Sequence, residues 1–117
     1  MNAPQPAALL RIYTDEGARD GGRPLYEGLV LQARERGLSG ATVLRGPMGF
    51  GASHRLHTAK ILDLSANLPL VIEIVDEEPA LRDFAAAIAD IPDIGLVTLE
   101  RVEVLHDGQA AARGERA

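Results

Sequence analysis

Alternating apolar and polar positions begin the chain, a pattern typical of a half-buried strand. Ala8, Leu10 and Ile12 fall on one face, while Arg11 and Tyr13 fall on the other. A stretch rich in Gly, Asp and Glu follows at 14–23 and favours a polar loop. The pattern therefore predicts a first strand across residues 8–13.

The next segment has the spacing of a helix. Leu25, Leu29 and Ala33 recur every four residues behind Pro24, whose missing N–H suits the first turn of a helix. Gly37 has the freedom to adopt the left-handed conformation that ends many helices. We therefore expect a helix over 24–36.

A second helix is predicted between Asp76 and Pro92. Asp76 is a favourable capping residue, and the carboxylates of Glu77 and Glu78 complement the helix dipole in the first turn. Pro92 ends the segment. Its buried face is marked by apolar residues at i, i+3, i+4 and i+7, namely Leu81, Phe84, Ala85 and Ile88.

Three further stretches are typical of strands, at 41–45, 69–75 and 96–105. The middle stretch is almost entirely apolar and is interrupted only by Glu73, as expected of a central strand covered on both faces. The order β-α-β-β-α-β predicts an α+β, ferredoxin-like fold, with one antiparallel sheet and two helices on one face. Since helices cover only one face, we expect a neighbouring subunit to cover the other.

A long excursion separates the second and third predicted strands. It spans 23 residues, 46–68, whereas a hairpin needs only about two to five. Long connections in small domains are usually functional. Gly46, Gly49 and Gly51 either bring backbone N–H groups to a phosphate or permit turns with positive φ.

Three cations, Arg45, Arg55 and Lys60, lie in or beside this excursion, and no acidic residue occurs between 46 and 60. They either neutralise a phosphate or form a solvated basic loop that docks a partner. His54 and His57 are three residues apart and are weak candidates for metal ligands, because neither a cysteine nor a third local ligand accompanies them.

The composition of the chain argues against several classes of protein. The 117 residues suffice for one domain, which we expect to have a core at about 8–105 and flexible ends at 1–6 and 107–117. A net charge of −5 argues against a nucleic-acid binder, and the lack of cysteine excludes disulfides and thiolate sites. No apolar run approaches the ~20 residues of a membrane span, and the start lacks the regions of a signal peptide. We expect a cytoplasmic protein.

The remaining charged residues favour structural roles. Glu73 is expected to pair with a cation across a subunit interface, and Arg101 to be a paired structural cation. Solvated loop charges are expected at Asp15, Glu16 and Asp20. No nucleophile stands with an evident base, and no carboxylate pair or Ser-His-Asp order is convincing, so an enzyme is not expected.

Four motifs occur together in the chain: GATVLRG at 40–46, GFG at 49–51, HTAKILDLS at 57–65 and LPLVIEIVD at 68–76. Their combination closely resembles an uncharacterised, domain-of-unknown-function family of the PII-like and CutA-like superfamily, over roughly residues 8–105. The resemblance implies a ferredoxin-like homotrimer with a signalling role, in which adenine nucleotides bind between subunits. Residues 46–68 occupy the position of the PII T-loop, which changes shape and docks on a membrane transporter or channel, or on an enzyme.

The resemblance also implies a ligand site at the root of the excursion, with Arg45, Gly46, Gly49, Phe50, Gly51, Ser53, Arg55 and Lys60 as candidate ligand-binding residues. Ala52 and Ser53 stand where PII proteins have an arginine and a glutamine, and the turn at 92–95 lacks the PII cation. We therefore expect the fold to carry over more fully than ATP binding, with an adenine nucleotide or another small anion as ligand. The alternative is a CutA-like trimer that binds a divalent metal or is purely structural.

Overall fold

The computed structural model of the protein describes residues 5–51, 56–58 and 67–108. Its main elements are β1 (Gln5–Asp15), α1 (Leu25–Glu35), β2 (Thr42–Arg45), β3 (Pro69–Asp76), α2 (Glu78–Ile88) and β4 (Val97–Val104). These four strands form one antiparallel sheet in the order β2-β3-β1-β4. This order confirms the predicted ferredoxin-like βαββαβ fold.

The two helices bury one face of the sheet. Antiparallel pairing sets Leu10 opposite Ile74 and Ile12 opposite Ile72, so these side chains point to the same side. On that side they pack with residues of α1 and α2 in an aliphatic core around Phe84. The largest fully buried side chains are Leu10, Ile12, Leu25, Leu29, Ile72, Ile74, Leu81, Phe84 and Ile88.

Helix α1 ends as its sequence predicts. Gly37 has a φ of 78°, in the left-handed region. Its N–H donates to the carbonyl of Arg34 at 3.1 Å, and the N–H of Leu38 donates to the carbonyl of Ala33 at 3.1 Å. These two bonds define a Schellman motif. Leu38 packs against the core, so the glycine turns the chain from α1 back towards the sheet.

The start of α2 differs from the prediction that Asp76 caps it. Glu77 occupies the N-cap position, and its side chain makes no capping hydrogen bond. Asp76 Oδ2 instead accepts hydrogen bonds from the N–H and O–H of Ser39, at 2.8 and 2.9 Å. Its Oδ1 accepts the N–H of Glu77 at 2.7 Å. Asp76 therefore joins the connection after α1 to the end of β3, because Ser39, which is distant in sequence, donates two hydrogen bonds to its carboxylate.

An ion-pair group on the surface connects α2 with β4. Glu78, in the first turn of α2, is bonded by Arg82 at 2.8 Å and by Arg101 at 3.0 Å. The hydrogen bond from Arg82 is the chief reason why the pKa of Glu78 lies below its ordinary value. Arg101 is thus the paired structural cation that the sequence predicted.

Strand β1 begins earlier than the alternating pattern predicts. Gln5 pairs with Val104 and Pro6 with Glu103, although both belong to the start that we expected to be flexible. Only β4 pairs with this end, since the pairing of β1 with β3 starts at Ala8. A proline is tolerated where one side of a strand lacks a neighbour, because its missing N–H leaves no ladder bond unmade.

We expect Gly37→Ala to lower the free energy of unfolding by about 1–2 kcal/mol, because a Cβ disfavours the left-handed conformation by about that amount. Gly22→Ala is the matched control, since a Cβ there meets open space and the residue lies outside the left-handed region. Urea unfolding followed by circular dichroism measures both variants. Equal midpoints would contradict the role assigned to Gly37.

Candidate functional site

The excursion between β2 and β3 starts as an extension of the sheet. The N–H of Gly46 donates to the carbonyl of Pro69 at 2.8 Å, one step beyond the last paired residues of β2 and β3. Met48–Gly49 then pairs with His57–Thr58 in a short antiparallel ladder. We call residues 45–51 and 67–69 the loop root, because they carry the excursion away from the sheet and return it.

Two glycines of the loop root allow the backbone of this segment to lie close to the ring of Pro69. A Cβ on Gly46 or Gly49 would lie 3.1 or 3.2 Å from the Cγ of Pro69. Gly51 has open space at this position. None of the three glycines has a positive φ, so the interpretation that they permit left-handed turns is wrong. The N–H of Gly46 already donates to the carbonyl of Pro69 and is therefore not available to a phosphate.

Arg45 forms an ion pair that the sequence did not predict. Its Nη2 lies 2.7 Å from Oε2 of Glu16, whose side chain is 24% exposed. Oε1 of Glu16 accepts the N–H of Leu68 at 3.2 Å, and the N–H of Glu16 donates to the carbonyl of Leu68 at 2.9 Å. Glu16 thus contacts both sides of the loop root, and the expectation that it is a solvated loop charge is wrong.

The residues beside Glu16 strengthen this connection. Asp15 Oδ1 accepts hydrogen bonds from the N–H groups of Gly17 and Ala18, each at 3.0 Å, so it too has a structural role. The N–H of Gly17 also donates to the side-chain oxygen of Asn67. Asp20 is exposed, as expected. The turn after β1 therefore holds the segment that leads back into β3.

Several predicted site residues fall outside this geometry. Ser53, Arg55, Lys60 and His54 lie outside the described residues, and of His57 the backbone alone is described. The ligand and metal interpretations of these residues stay predictions. Phe50 is described, and its side chain is 66% exposed at the far end of the loop root.

A groove of about 410 Å³ lies at the opposite end of β2. It is lined by residues 39–42, by Ala7, Glu73, Val75, Asp76 and Val104, and by His106 and Asp107 after β4. Sequence reasoning missed this groove, because no motif marks it and its residues come from segments far apart in the chain. Three carboxylates and one histidine line it, so its charge is negative near neutral pH.

The groove and the loop root are well separated in one chain. They lie beyond opposite ends of β2, which begins at Thr42 beside the groove and ends at Arg45 in the loop root. A strand advances about 3.3 Å per residue, so Thr42 and Arg45 lie roughly 10 Å apart along β2.

The face of the sheet opposite the helices carries exposed apolar side chains, and we call it the open face. Leu44, Val71 and Tyr13 form one apolar row across three strands, and Leu9 lies opposite Val75 in another. Tyr13, Leu44 and Val75 are 37, 47 and 40% exposed, which is high for large apolar residues of a sheet. This matches the expectation that the helices leave one face uncovered.

A charged row crosses the open face between the apolar rows. Arg11 Nε lies 2.9 Å from Oε2 of Glu73, and its Nη1 lies 2.6 Å from Oε1 of Glu100. The hydrogen bond with Glu73, followed by the one with Glu100, raises the pKa of Arg11 above its ordinary value. The cation that pairs with Glu73 in this chain is therefore Arg11, and a further partner across a subunit interface stays a prediction.

The described residues contain no cluster of three or more His, Cys, Asp or Glu side chains arranged to hold a metal ion. Within the same ranges, neither helix is long and apolar enough to cross a membrane.

Comparison with protein families gives a match over residues 7–104, which ends with the last residue of β4. The matching family model is DUF190, described as Uncharacterized ACR. A UPF0166 protein of Aquifex aeolicus (strain VF5) is 43% identical over 98 residues, which make up 84% of this chain and 92% of that protein. A second UPF0166 protein of the same organism is 36% identical over 98 residues, covering 82% of this chain and 94% of its own.

Solved structures with the same fold are PII-like proteins. CPII from Thiomonas intermedia K12, bound to ADP and bicarbonate, superposes with a TM-score of 0.65 at 19% identity, covering 87% of this chain and 91% of its own. A protein from Thermus thermophilus described as PII-like and signalling gives a TM-score of 0.65 at 18% identity, with coverages of 98% and 97%. At such identities the likeness concerns the fold.

We expect Gly49→Ala to lower the free energy of unfolding by about 1 kcal/mol or more, because its Cβ would press on the ring of Pro69. Gly51→Ala, in the same segment but with open space at its Cβ, should stay within about 0.5 kcal/mol of the wild type. Urea unfolding compares the two. If both variants are as stable as the wild type, the contact with Pro69 does not require a glycine at position 49.

Proposed function

The chain belongs to the DUF190 family and has the fold of PII-like proteins, and from this we propose that it is a PII-like regulatory protein. It binds a small anionic metabolite, an adenine nucleotide, in clefts between the subunits of a homotrimer. It reports the bound state to a partner protein through the loop at 46–68. The observation that carries the proposal is the separation, in one chain of this fold, of the groove from the loop root.

The open face supports assembly. Its apolar rows contain the partly exposed side chains of Tyr13, Leu44 and Val75. Burying apolar surface stabilises association by about 25 cal/mol per Å², before the entropy lost on association is subtracted. The charged row does not oppose this, because Arg11 already pairs with Glu73 and Glu100 in its own chain. We propose that a second copy of this chain covers the open face.

The charge of the two regions orients the ligand between subunits. The groove is lined by Glu73, Asp76 and Asp107, so it disfavours a phosphate and suits the uncharged base and ribose. The loop root of a neighbouring subunit offers the backbone of 49–51 and, in the sequence, the cations Arg55 and Lys60. A phosphate carries about −2 at neutral pH and needs such donors when it leaves water. CPII, which has this fold, binds ADP and bicarbonate, which supports an adenine nucleotide as the first ligand to test.

The exposed side chains of the loop favour contact with a protein. Met48, Phe50 and Leu56 are 59, 66 and 56% exposed, which is unusual for three large apolar residues so close in sequence. In this proposal they contribute to docking on a membrane transporter or channel, or on an enzyme. A CutA-like metal-binding role has no specific observation in its favour among the described residues.

The wild-type protein is expected to have a mass near three chains by size exclusion coupled to light scattering. Val71→Lys should shift it towards the monomer, because a charge in the apolar row of the open face would be buried by assembly. Ala86→Lys, on the exposed side of α2, is the control and should stay trimeric. A wild type that is monomeric at micromolar concentration would refute the assembly.

Calorimetry with ADP, AMP and ATP tests ligand binding. The double variant Arg55→Ala/Lys60→Ala should bind more weakly, by about tenfold, and with a flatter dependence on salt, because two cations near the phosphate are removed. Arg34→Ala/Arg36→Ala removes the same charge from the exposed end of α1 and is the control. No heat with any adenine nucleotide, or equal affinities of the two double variants, would exclude the proposed phosphate site.

A further inference from the structure

The turn that follows β1 places one carboxylate between the two sides of the loop root. Oε2 of Glu16 contacts Arg45 Nη2 at 2.7 Å on the outgoing side, and Oε1 accepts the N–H of Leu68 at 3.2 Å on the returning side. The side chain of Arg45 is 63% exposed, whereas that of Glu16 is 24% exposed. Arg45 is therefore accessible to a dissolved anion while it is still bound to Glu16.

A carboxylate and a phosphate are alternative partners for the same guanidinium. Both present oxygen atoms in a geometry that matches the planar N–H groups of arginine, and charge-assisted bonds of this type are short and strong. Because the Arg45 end of this ion pair is largely exposed, the pair contributes little stability, so a phosphate with additional donors can replace the carboxylate. Arg45 immediately precedes the glycine-containing segment 46–51.

We propose that Glu16 is a positioning residue that competes with the anionic ligand for Arg45, an inference that rests on the proposed function. In the free protein, Glu16 holds Arg45 and Leu68 together. When a phosphate binds Arg45, the ion pair between Glu16 and Arg45 is lost. Glu16 then no longer connects the two sides of the loop root through its side chain. Occupancy of the anion site is thereby linked to the side-chain contacts that Glu16 makes at the loop root.

The remaining contacts limit the change to side chains. The N–H of Glu16 still donates to the carbonyl of Leu68 at 2.9 Å, and the N–H of Gly46 to that of Pro69 at 2.8 Å. These backbone bonds do not depend on the charge of Glu16. The sheet therefore stays intact while the anchoring of Arg45 changes. By linkage, the factor by which a bound anion weakens the bond between Glu16 and Arg45 equals the factor by which that bond weakens anion binding.

The test uses Glu16→Gln in the full chain, with Glu27→Gln as the matched control because it removes the same charge from an exposed position of α1. Calorimetry with ADP should show about two- to fivefold tighter binding for Glu16→Gln than for Glu27→Gln, the factor expected from loss of an exposed ion pair. In an Arg45→Gln background, the same substitution at Glu16 should have no effect on affinity, since the competing pair is already absent. A purely structural role of Glu16 predicts the opposite, weaker binding.

Amide exchange measured by NMR gives a second readout. The Leu68 amide of free Glu16→Gln should exchange faster than that of Glu27→Gln, and saturating ADP should speed exchange of this amide in the wild type. If the wild type binds ADP but Glu16→Gln binds no more tightly than Glu27→Gln, the competition is refuted and the proposed function stands. If the wild type does not bind ADP, the proposed function and this inference both fail.

Discussion

The pairing of β1 with β3 is the interaction on which the rest of the structure depends. It runs from Ala8 opposite Asp76 to Asp15 opposite Pro69. Because side chains alternate along a strand, this one register sends Leu10 and Ile12 to the helices and Arg11 to the open face. A slip of one residue would expose the aliphatic side chains and bury the charged row. The core and the open face are therefore two results of a single alignment.

The same register also positions the loop root. Since β1 ends opposite the start of β3, the turn that follows β1 lies beside Leu68, and Glu16 reaches the returning side of the excursion. On the outgoing side, Arg45 pairs with Leu70 at the last position of the β2–β3 ladder, which brings its guanidinium to the same carboxylate. Pro69 supports both sides, because its carbonyl accepts from Gly46 and its ring lies where a Cβ on Gly49 would be. The excursion is thus held at its base by contacts that belong to the fold.

Charge is distributed unevenly over an acidic chain. The net charge is −5, and carboxylates line both the groove and the charged row of the open face. The cations near the excursion are the exception, and one of them, Arg45, is already neutralised by Glu16. An anion approaching this protein therefore meets an unfavourable net field. Under the proposed function, the cations of the excursion orient the nucleotide in the cleft between subunits.

Local patterns in the sequence were sufficient for the elements of the fold. Helical spacing and Gly37 predicted α1 and its Schellman ending, and the apolar run predicted β3, because these features depend on residues within a few positions of one another. The tertiary structure alone decided the partners of the charged groups. Asp76 binds Ser39 instead of capping α2, Glu73 binds Arg11 of its own chain, and Glu16 binds Arg45 and Leu68. The groove likewise combines residues from both ends of the chain with the connection after α1. A carboxylate pairs with whichever donor the folded chain places beside it. Strand pairing brings together residues that are far apart in sequence, and no local pattern predicts such pairs.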